Sequence, residues 1–361
     1  MAPTIRVAAC HIAPVYLNAK ATTEKVVQWI RRAASNNAHL VTFPESTIPA
    51  FPWSTLIPPS ENHEFFVRMA HQSIFADGDE IAAIRQAARE CRIFVSVGFT
   101  EKARFSSATL WNANMIISSG GEVLVHHRKL MPTAYEKLTW TPGDGHGLKV
   151  VDIPVGEDSG KKLTGKLGML ICGENTNPLA RYAMIAQGEQ IHITTWPAKA
   201  PHRNLDKDSN AGHSASGRPP RGSYDNRAVN RMRCGEHCFE AKCFGVLCSS
   251  VMTEEIIDIL VSGLADPVKS SVRSTYELAT QAETLFLSPS GAPLPSFTID
   301  EAGRQQACES LCDEEGILYA DMDMEDTIEG KQYHDVVGAY QRLDVFQLTV
   351  DTTRRSPCTF V

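Results

Sequence analysis

Short apolar runs alternate with amphipathic stretches along most of this chain. Residues 5–10 and 191–195 form apolar or β-branched runs that are too short for helices, so they predict buried strands. Residues 21–35 and 79–91 instead repeat their apolar positions at helical spacing, which predicts helices that bury one face. Strands that alternate with helices are typical of an α/β fold.

The alternation continues through the rest of the chain. Further strands are predicted at residues 40–43, 93–99 and 244–249, a hairpin at 113–117 and 123–125, and helices at 178–187, 225–241 and 300–314. Cys308 and Cys312 lie four residues apart on the last of these helices. Residues 202–222, rich in Ser, Gly, Pro and charge, predict a surface loop, and residues 286–296 predict a Pro-rich turn region.

Cys172 ends the apolar run of residues 167–171, and Asn177 and Pro178 then predict the cap and first residue of a helix. The cysteine is therefore expected on a strand-to-helix turn. Such a turn can expose one side chain, direct backbone N–H groups beside it and place a helix N-terminus where it favours a thiolate. These properties suit a nucleophile. The alternative is a small apolar side chain buried in the core.

Two other strands are expected to end at a charged residue. Glu45 follows the run of residues 39–43, and Lys129 follows a strand that begins after the Gly120-Gly121 turn. With Cys172 they would converge at one edge of a sheet. A cysteine thiol needs a base, and the charge that develops during attack needs a cation, so Glu45 and Lys129 could supply both. The alternative for each is an ordinary solvated charge.

Three segments carry a resemblance to a known family. Residues 43–45 (FPE), 127–133 (HRKLMPT) and 172–175 (CGEN) resemble the Glu-Lys-Cys set of the nitrilase, or carbon–nitrogen hydrolase, superfamily. Tyr135 and Glu136, followed by WTPGDG at residues 140–145, resemble the nitrilase branch of that superfamily. The resemblance implies a four-layer αββα sandwich. It also implies a catalytic domain at residues 1–300 and a C-terminal segment, residues 301–361, that packs on this domain or at an oligomer interface.

The resemblance implies roles for individual residues. Glu45 would be the base, Lys129 would stabilise developing negative charge, and Cys172 would be the nucleophile. Glu136 resembles the second glutamate of the family and would orient Lys129 or a water molecule. The substrate pocket is expected to include Gly173, Glu174 and Trp196. No cofactor and no metal are implied.

The activity implied is hydrolysis of an organic nitrile to a carboxylic acid and ammonia, through a thioimidate and then a thioester. Two alternatives stay open. One is a cyanide hydratase or another member that releases an amide, and the other is a non-catalytic member that forms filaments or binds a partner. The chain departs from the family pattern at Gly173, where many nitrilases have tryptophan, and at Ala339 and Leu343, where histidine and proline are usual.

Net charge and composition narrow the choice of partner and compartment. A formal net charge of -7 and a pI near 6.0 disfavour nucleic acid and anionic membranes as partners. The N-terminus has no basic flank followed by a long apolar stretch, so we expect a cytoplasmic protein without a membrane span. Its ten cysteines are then expected to be reduced thiols.

One cysteine cluster suggests a metal site. Cys234, His237 and Cys238 share one face of a predicted helix at a spacing compatible with zinc. The same spacing also arises when a helix packs small apolar side chains, and we favour that interpretation. The family resemblance further implies homodimers that pack through the helices at 178–187 and 225–241. These dimers could extend into spirals with help from residues after Asp335.

Overall fold

Two β-sheets lie face to face between layers of helices in the computed structural model of this chain, which describes residues 4–158, 161–201 and 225–358. The surface loop expected at residues 202–222 lies outside these ranges. The fold is the predicted αββα sandwich, and its four layers follow from where each strand directs its alternate side chains.

The first sheet has eight strands. Its strands are β1 (Thr4–His11), β2 (Leu40–Thr42), β3 (Phe94–Lys102), β4 (Leu110–Ile117), β5 (Val123–Arg128), β11 (Phe297–Ile299), β12 (Gln305–Ala307) and β14 (Gly316–Asp323). Their order is β12-β11-β14-β1-β2-β3-β4-β5. β1, β2 and β3 are parallel, and β4 and β5 each pair antiparallel with the strand before.

The second sheet has six strands. Its strands are β6 (Val151–Asp158), β7 (Lys161–Ile171), β8 (Ile191–Trp196), β9 (Phe244–Ser249), β10 (Thr284–Leu287) and β13 (Ser310–Leu311). Their order is β13-β10-β9-β8-β7-β6, with β7, β8 and β9 parallel. β7 is the strand that leads into Cys172.

The helices are α1 (Ala19–Ser35), α2 (His63–Gln72), α3 (Asp79–Cys91), α4 (Pro178–Ile185), α5 (Asn226–Ala241), α6 (Glu254–Val261), α7 (Val268–Leu278) and α8 (Asp326–Glu329). Short 3-10 helices occur at Trp53–Leu56, Ala134–Leu138, Gly145–Gly147, Cys172–Thr176 and Gly330–Gln332. No helix within the described ranges combines the length and apolar character needed to cross a membrane.

Alternation along β1 shows how the layers form. Val7 is fully buried in the cluster that joins the two sheets, where it shares the core with Ile193 of the second sheet. Ala8, its neighbour, points the other way into the cluster that the first sheet forms with α1 and α3, which includes Ile30. Both faces of β1 are therefore buried, as expected for a strand inside a sandwich covered by helices.

Local sequence signals place the helix that follows the nucleophile turn. The Asn177 side chain accepts hydrogen bonds from the backbone N–H groups of Leu179 and Ala180, and Pro178 occupies the first helical position of α4. The predicted start of this helix is confirmed. Asp225 caps α5 in the same way by accepting from the N–H of Arg227.

The prediction of a helix at residues 300–314 is wrong. Asp300 instead closes a turn between β11 and β12, since its side chain accepts from the N–H groups of Ala302 and Arg304. Gly303 in this turn has φ +77°, a left-handed conformation that glycine adopts without steric cost. Cys308 and Cys312 therefore flank the short strand β13, and their spacing of four does not reflect a helix.

The C-terminal part of the chain contributes to both sheets. β14 pairs antiparallel with β1 along its whole length, and β13 pairs with β10. Further on, Arg354 donates to a carboxylate oxygen of Asp144 at 3.1 Å and to the backbone carbonyl of His126 at 2.7 Å. The division of the chain at residue 300 stays a prediction. The pairing of β14 with β1 shows that residues 316–323 complete the first sheet.

Candidate active site

The three predicted catalytic residues meet where strands of the two sheets end. Glu45 lies shortly after β2 and Lys129 directly after β5, two parallel strands of the first sheet. Cys172 directly follows β7 of the second sheet. The expected convergence at one edge of a single sheet is thus replaced by a site between two sheets, because the nucleophile comes from the opposite layer.

Lys129 is clamped between two carboxylates. Its Nζ lies 2.8 Å from Oε1 of Glu45 and 2.7 Å from Oε2 of Glu136, and the lysine side chain is fully buried. Burial alone would lower the pKa of this ammonium group, but the charges of Cys172, Glu136 and Glu45 outweigh it and raise the pKa well above its usual value. Lys129 is therefore a permanent buried cation.

Glu45 has one occupied and one unpartnered carboxylate oxygen. Oε1 accepts from Lys129 and, at 2.6 Å, from Nδ2 of Asn112. Oε2 is buried and has no hydrogen-bond partner among the described residues. Burial raises the pKa of Glu45 to about 7, with Lys129 opposing the rise and Glu136 adding to it. A carboxylate of this kind can both take and return a proton near neutral pH.

Cys172 lies beside these charges. One atom from each of Cys172, Glu45 and Glu136, the Sγ and two carboxylate oxygens, all lie within 4.8 Å of one another. Cys172 has φ 50°, the left-handed region that residues other than glycine seldom occupy. Burial and the charge of Glu45 raise the pKa of its thiol well above the usual value, while Lys129 lowers it. The sulfur is therefore placed for proton transfer to a nearby carboxylate.

A short helical turn holds Glu136 in place. The 3-10 helix Ala134–Leu138 begins with a capping box, in which the backbone N–H of Thr133 donates to Oε2 of Glu136 at 2.8 Å. The same oxygen accepts from Lys129. Glu136 therefore contacts Lys129 from a fixed position, and its expected role of orienting Lys129 or a water molecule stays a prediction.

The structure places the two predicted pocket residues after Cys172 differently. A Cβ atom on Gly173 would lie 2.8 Å from Oγ1 of Thr133, so this glycine faces the segment that carries Glu136. The carboxylate of Glu174 is buried and already bonded: it accepts from the N–H groups of Leu130 at 2.5 Å and Ile171 at 2.7 Å, and it lies 2.9 Å from Nε2 of His127. Glu174 therefore ties the nucleophile turn to the strand that leads to Lys129.

Trp196, the third predicted pocket residue, packs in a buried cluster with Ile171 and Cys172. The guanidinium group of Arg233 lies 5.4 Å from the centre of its ring. Trp196 thus contacts the nucleophile turn from within the second sheet. That it, Gly173 and Glu174 line the substrate pocket stays a prediction.

An aromatic pocket of about 90 Å³ adjoins Glu136. Its lining includes Phe51, Trp53, Tyr135 and Tyr276, together with Lys199. The Trp53 indole N–H donates to the carbonyl of Lys199 at 3.0 Å, and Nζ of Lys199 donates to the carbonyl of Tyr276 at 2.6 Å. These bonds hold the aromatic wall in one arrangement.

Several residues of the site escaped prediction. Asn112, which binds Glu45, lies inside the apolar strand β4, where its sequence context gives no sign of a catalytic contact. Thr133 could have been found, because threonine three residues before glutamate is a capping signature. Asn175 and His192 belong to segments that the family resemblance already includes, but nothing in the sequence shows that they touch each other.

The cysteine and histidine cluster on α5 is arranged differently from a Cys234, His237 and Cys238 metal site. Nε2 of His237 lies 2.7 Å from Oε2 of Glu189, a carboxylate whose other oxygen faces His192. The side chains of Cys234 and Cys238 pack in an apolar cluster, as the favoured interpretation of this helix expects. Absence of a metal stays a prediction.

Solved structures share this fold at low sequence identity. A carbon–nitrogen hydrolase from Helicobacter pylori G27 superposes with a TM-score of 0.60 at 18% identity, covering 91% of this chain and 92% of that chain. A variant of the amidase from Nesterenkonia sp. AN1, with an acetamide moiety added covalently at its active site cysteine, gives a TM-score of 0.55 at 16% identity, with 90% and 92% covered. These likenesses support the fold alone.

Sequence comparison extends the likeness to the whole chain. A nitrilase of Penicillium rubens is 31% identical over 99% of this chain and 96% of its own length. An arylacetonitrilase of Hypocrea virens is 31% identical over 96% of this chain and 91% of its own length. The family model described as carbon-nitrogen hydrolase matches residues 6–332. With its sandwich fold and its glutamate, lysine and cysteine in one buried site, this chain belongs to the carbon–nitrogen hydrolase family.

Proposed function

We propose that this protein is a nitrilase that hydrolyses an organic nitrile to the carboxylic acid and ammonia. The observation that carries the proposal is the buried contact of Cys172, Glu45 and Glu136 around the Lys129 ammonium group. These four side chains supply a nucleophile, a base of suitable pKa and a fixed positive charge in a site screened from water. The full-length relatives named nitrilase and arylacetonitrilase support the same activity.

The first half of the reaction forms a thioimidate. Glu45 takes the proton of the Cys172 thiol, and the thiolate attacks the nitrile carbon, forming the S–C bond and breaking one C–N π bond. Negative charge develops on nitrogen, where the ammonium group of Lys129 stabilises it. Glu45 then returns its proton to this nitrogen. Its pKa of about 7 allows both transfers near neutral pH.

The second half releases both products. Glu45 deprotonates a water molecule, which attacks the thioimidate carbon to give a tetrahedral adduct. Glu45 passes the proton taken from water to the adduct nitrogen and then moves the proton of the new hydroxyl group to the same nitrogen, so the C–N bond breaks, ammonia leaves and a thioester to Cys172 remains. A second water, activated by the same carboxylate, hydrolyses the thioester to the acid and the free thiol. Glu136 keeps Lys129 in place throughout.

Aromatic nitriles are the substrate class that the pocket favours. Four aromatic side chains, Phe51, Trp53, Tyr135 and Tyr276, line the cavity next to Glu136. Aromatic walls bind a flat ring through apolar contact and ring–ring interactions. We therefore propose an aryl or arylacetic nitrile over an aliphatic nitrile or cyanide.

The test is a panel of aryl, arylacetic and aliphatic nitriles and cyanide, with ammonia, acid and amide measured together. We expect acid and ammonia in equal amounts, fastest from the aromatic members. Amide as the main product would support the alternative of an amide-releasing enzyme, in which the adduct expels the thiolate. Absence of any product from every nitrile, in folded protein whose Cys172 is reduced, would contradict the proposed function.

We also propose a homodimer that packs through α4 and α5. Leu179 on α4 and Met232 and Phe239 on α5 are 61%, 63% and 48% exposed, and burying such side chains in a second copy would be favourable. Light scattering should show a dimer or a longer assembly, whereas a fully active monomer would contradict this.

We also propose that the protein is cytoplasmic. The ten cysteines of the described residues are unpaired, as expected in a reducing compartment.

A further inference from the structure

A chain of buried polar side chains runs from the second sheet to the nucleophile turn. Glu189 Oε1 lies 2.8 Å from Nδ1 of His192, and His192 Nε2 lies 2.8 Å from Oδ1 of Asn175. Asn175 Nδ2 in turn donates to the backbone carbonyls of Cys172 at 3.0 Å and Leu170 at 3.3 Å. Glu189, His192 and Asn175 are at most 1% exposed, so no water competes for these bonds.

The direction of each hydrogen bond follows from the groups at the two ends of this series of side chains. The Asn175 amide nitrogen faces two carbonyl oxygens, so its Oδ1 must accept from His192. At the other end, the imidazoles of His192 and His237, with hydrogen bonds from both, lower the pKa of Glu189 to about 2 although burial opposes the change. Glu189 is thus an acceptor at Nδ1 of His192, and Nε2 of His192 faces the accepting oxygen of Asn175.

The imidazole of His237 also holds Glu189 in place. The ring of His237 stacks on that of His192 with centroids 3.7 Å apart and bonds the other oxygen of Glu189 at 2.7 Å. Glu189 is therefore held from two sides and cannot turn away from His192.

The far end of the chain controls one peptide group. Asn175 holds the carbonyl of Cys172, and because a peptide is planar, the N–H of Gly173 in the same unit then has a fixed direction. That N–H faces the sulfur of Cys172 and counteracts the rise that burial causes in the pKa of the thiol. Cys172 also sits at φ 50°, so this peptide needs a partner to keep it in place.

We propose that Glu189 and His192, acting through Asn175, are positioning residues that hold the Cys172–Gly173 peptide with its N–H directed at the nucleophilic sulfur. The proposal rests on the proposed function only in taking Cys172 as the nucleophile. The proposal gives none of the three side chains a contact with the substrate. Their effect is on how readily the thiolate forms, which can be measured without any nitrile.

The test is alkylation of Cys172 by iodoacetamide in the full chain, with the modified residue located by mass spectrometry and the rate followed against pH. Asn175→Ser, His192→Gln and Glu189→Gln should each move the midpoint of the rate profile up by about one pH unit, the effect of losing one hydrogen bond to the thiolate. Glu45, Lys129 and Glu136, the charged groups that face the sulfur, stay unchanged in all three variants. With a nitrile substrate, kcat should fall about tenfold while KM changes by less than about twofold.

A double variant separates this role from simple loss of packing. If His192 acts through Asn175, then His192→Gln should slow alkylation no further once Asn175→Ser is present. Asn114→Ser is the matched control, because Asn114 is a buried asparagine on β4 of the first sheet and its side chain accepts from the hydroxyl group of Ser96. It should lose a similar amount of thermal stability and keep the parental alkylation profile.

Each outcome decides the proposal. Parental alkylation profiles in folded Glu189→Gln and His192→Gln overturn it, as do additive effects in the double variant. If Asn175→Ser does not fold, the two other variants decide alone. If the parent protein hydrolyses no nitrile, the proposed function fails separately, since the alkylation profiles still show whether the three residues position the thiolate.

Discussion

A Cβ atom on Gly173 would lie 2.8 Å from Oγ1 of Thr133, closer than real Cβ contacts allow. Thr133 in turn gives its backbone N–H to Glu136, which holds Lys129. Residue 173 is thus connected to Lys129 through one short segment, so a larger side chain at this position is expected to disturb the position of the lysine.

We predict that Gly173→Ala lowers kcat by displacing Thr133 and loosening the hold of Glu136 on Lys129. The backbone of Gly173 is not left-handed, so alanine costs little conformational energy. Thr133→Ala in the same chain removes the clashing oxygen, so the double variant should lose less activity than the two single losses combined. The measurements are kcat and KM for each variant, and additive losses would contradict the coupling.

Gly173→Trp should change the ranking of nitriles more than it changes folding. Apart from the chain neighbours of residue 173, Oγ1 of Thr133 is the one described atom within 4 Å of a Cβ at this position, so the side chain meets a single close contact where it leaves the backbone. A hydrophobic pocket discriminates between substrates that differ by one methylene by only about 1–3 kcal/mol, so we expect a changed ranking and not absolute selectivity. A well-folded variant with the parental ranking and the parental acid-to-amide ratio would show that residue 173 does not line the pocket.

Cys172→Ala should abolish turnover and leave the fold intact, because a route through a thioester requires the sulfur. Substrate added to the parent should leave an adduct on Cys172 that mass spectrometry detects. Cys10→Ala is a matched control, since Cys10 is equally buried but lies in the cluster between the first sheet and its helices. More than a trace of activity in Cys172→Ala would contradict the assignment of Cys172 as the nucleophile.

The acid limb of the pH profile should report Glu45. Burial raises the pKa of this carboxyl to about 7, so its base form is lost as the pH falls through 7 and kcat/KM should drop by about tenfold per unit below that point. The charge of Glu136 contributes to the rise. Glu136→Gln should therefore move this limb to lower pH, and a limb that stays in place would argue against Glu45 as the base.

Exhaustive chelation should leave activity and thermal stability unchanged. Nε2 of His237 already contacts Glu189, and Cys234 and Cys238 pack among apolar side chains, so we expect the helix to be stable without an ion. A structural zinc would add folding energy that chelation removes. Stoichiometric zinc in carefully purified protein would overturn this interpretation of α5.

Local signals in the sequence predicted the positions of the three chemical residues. Pro44 stops a strand just before Glu45, and the apolar run of β7 ends at Cys172, so each side chain was expected at the end of a buried element. Such signals depend on neighbours in the chain. That is why they could not show that Cys172 reaches Glu45 from the opposite sheet, which depends on how the two sheets stack.

The wrong helix prediction and the contacts that were not predicted also have physical causes. Residues 300–314 have apolar positions about four apart, but Asp300 and Gly303 form a turn whose hydrogen bonds compete successfully with a helix. That Glu174 lines the pocket stays a prediction. Its oxygens accept from backbone N–H groups and contact His127 from a strand far away in sequence, and these contacts could not be predicted because only the tertiary fold creates them.

The clamp on Lys129 leads to a prediction about stability. Lys129→Met would leave the carboxylates of Glu45 and Glu136 buried without their cation, and losing one partner of a buried pair typically destabilises a protein by about 3–5 kcal/mol. Part of that loss should return in the double variant Lys129→Met, Glu136→Gln, because only one buried carboxylate then remains. Both variants should be inactive, since neither can stabilise negative charge on the nitrile nitrogen. Urea unfolding at pH 7 measures the difference, and equal stability of the single and double variants would mean that the carboxylates do not repel each other across the site.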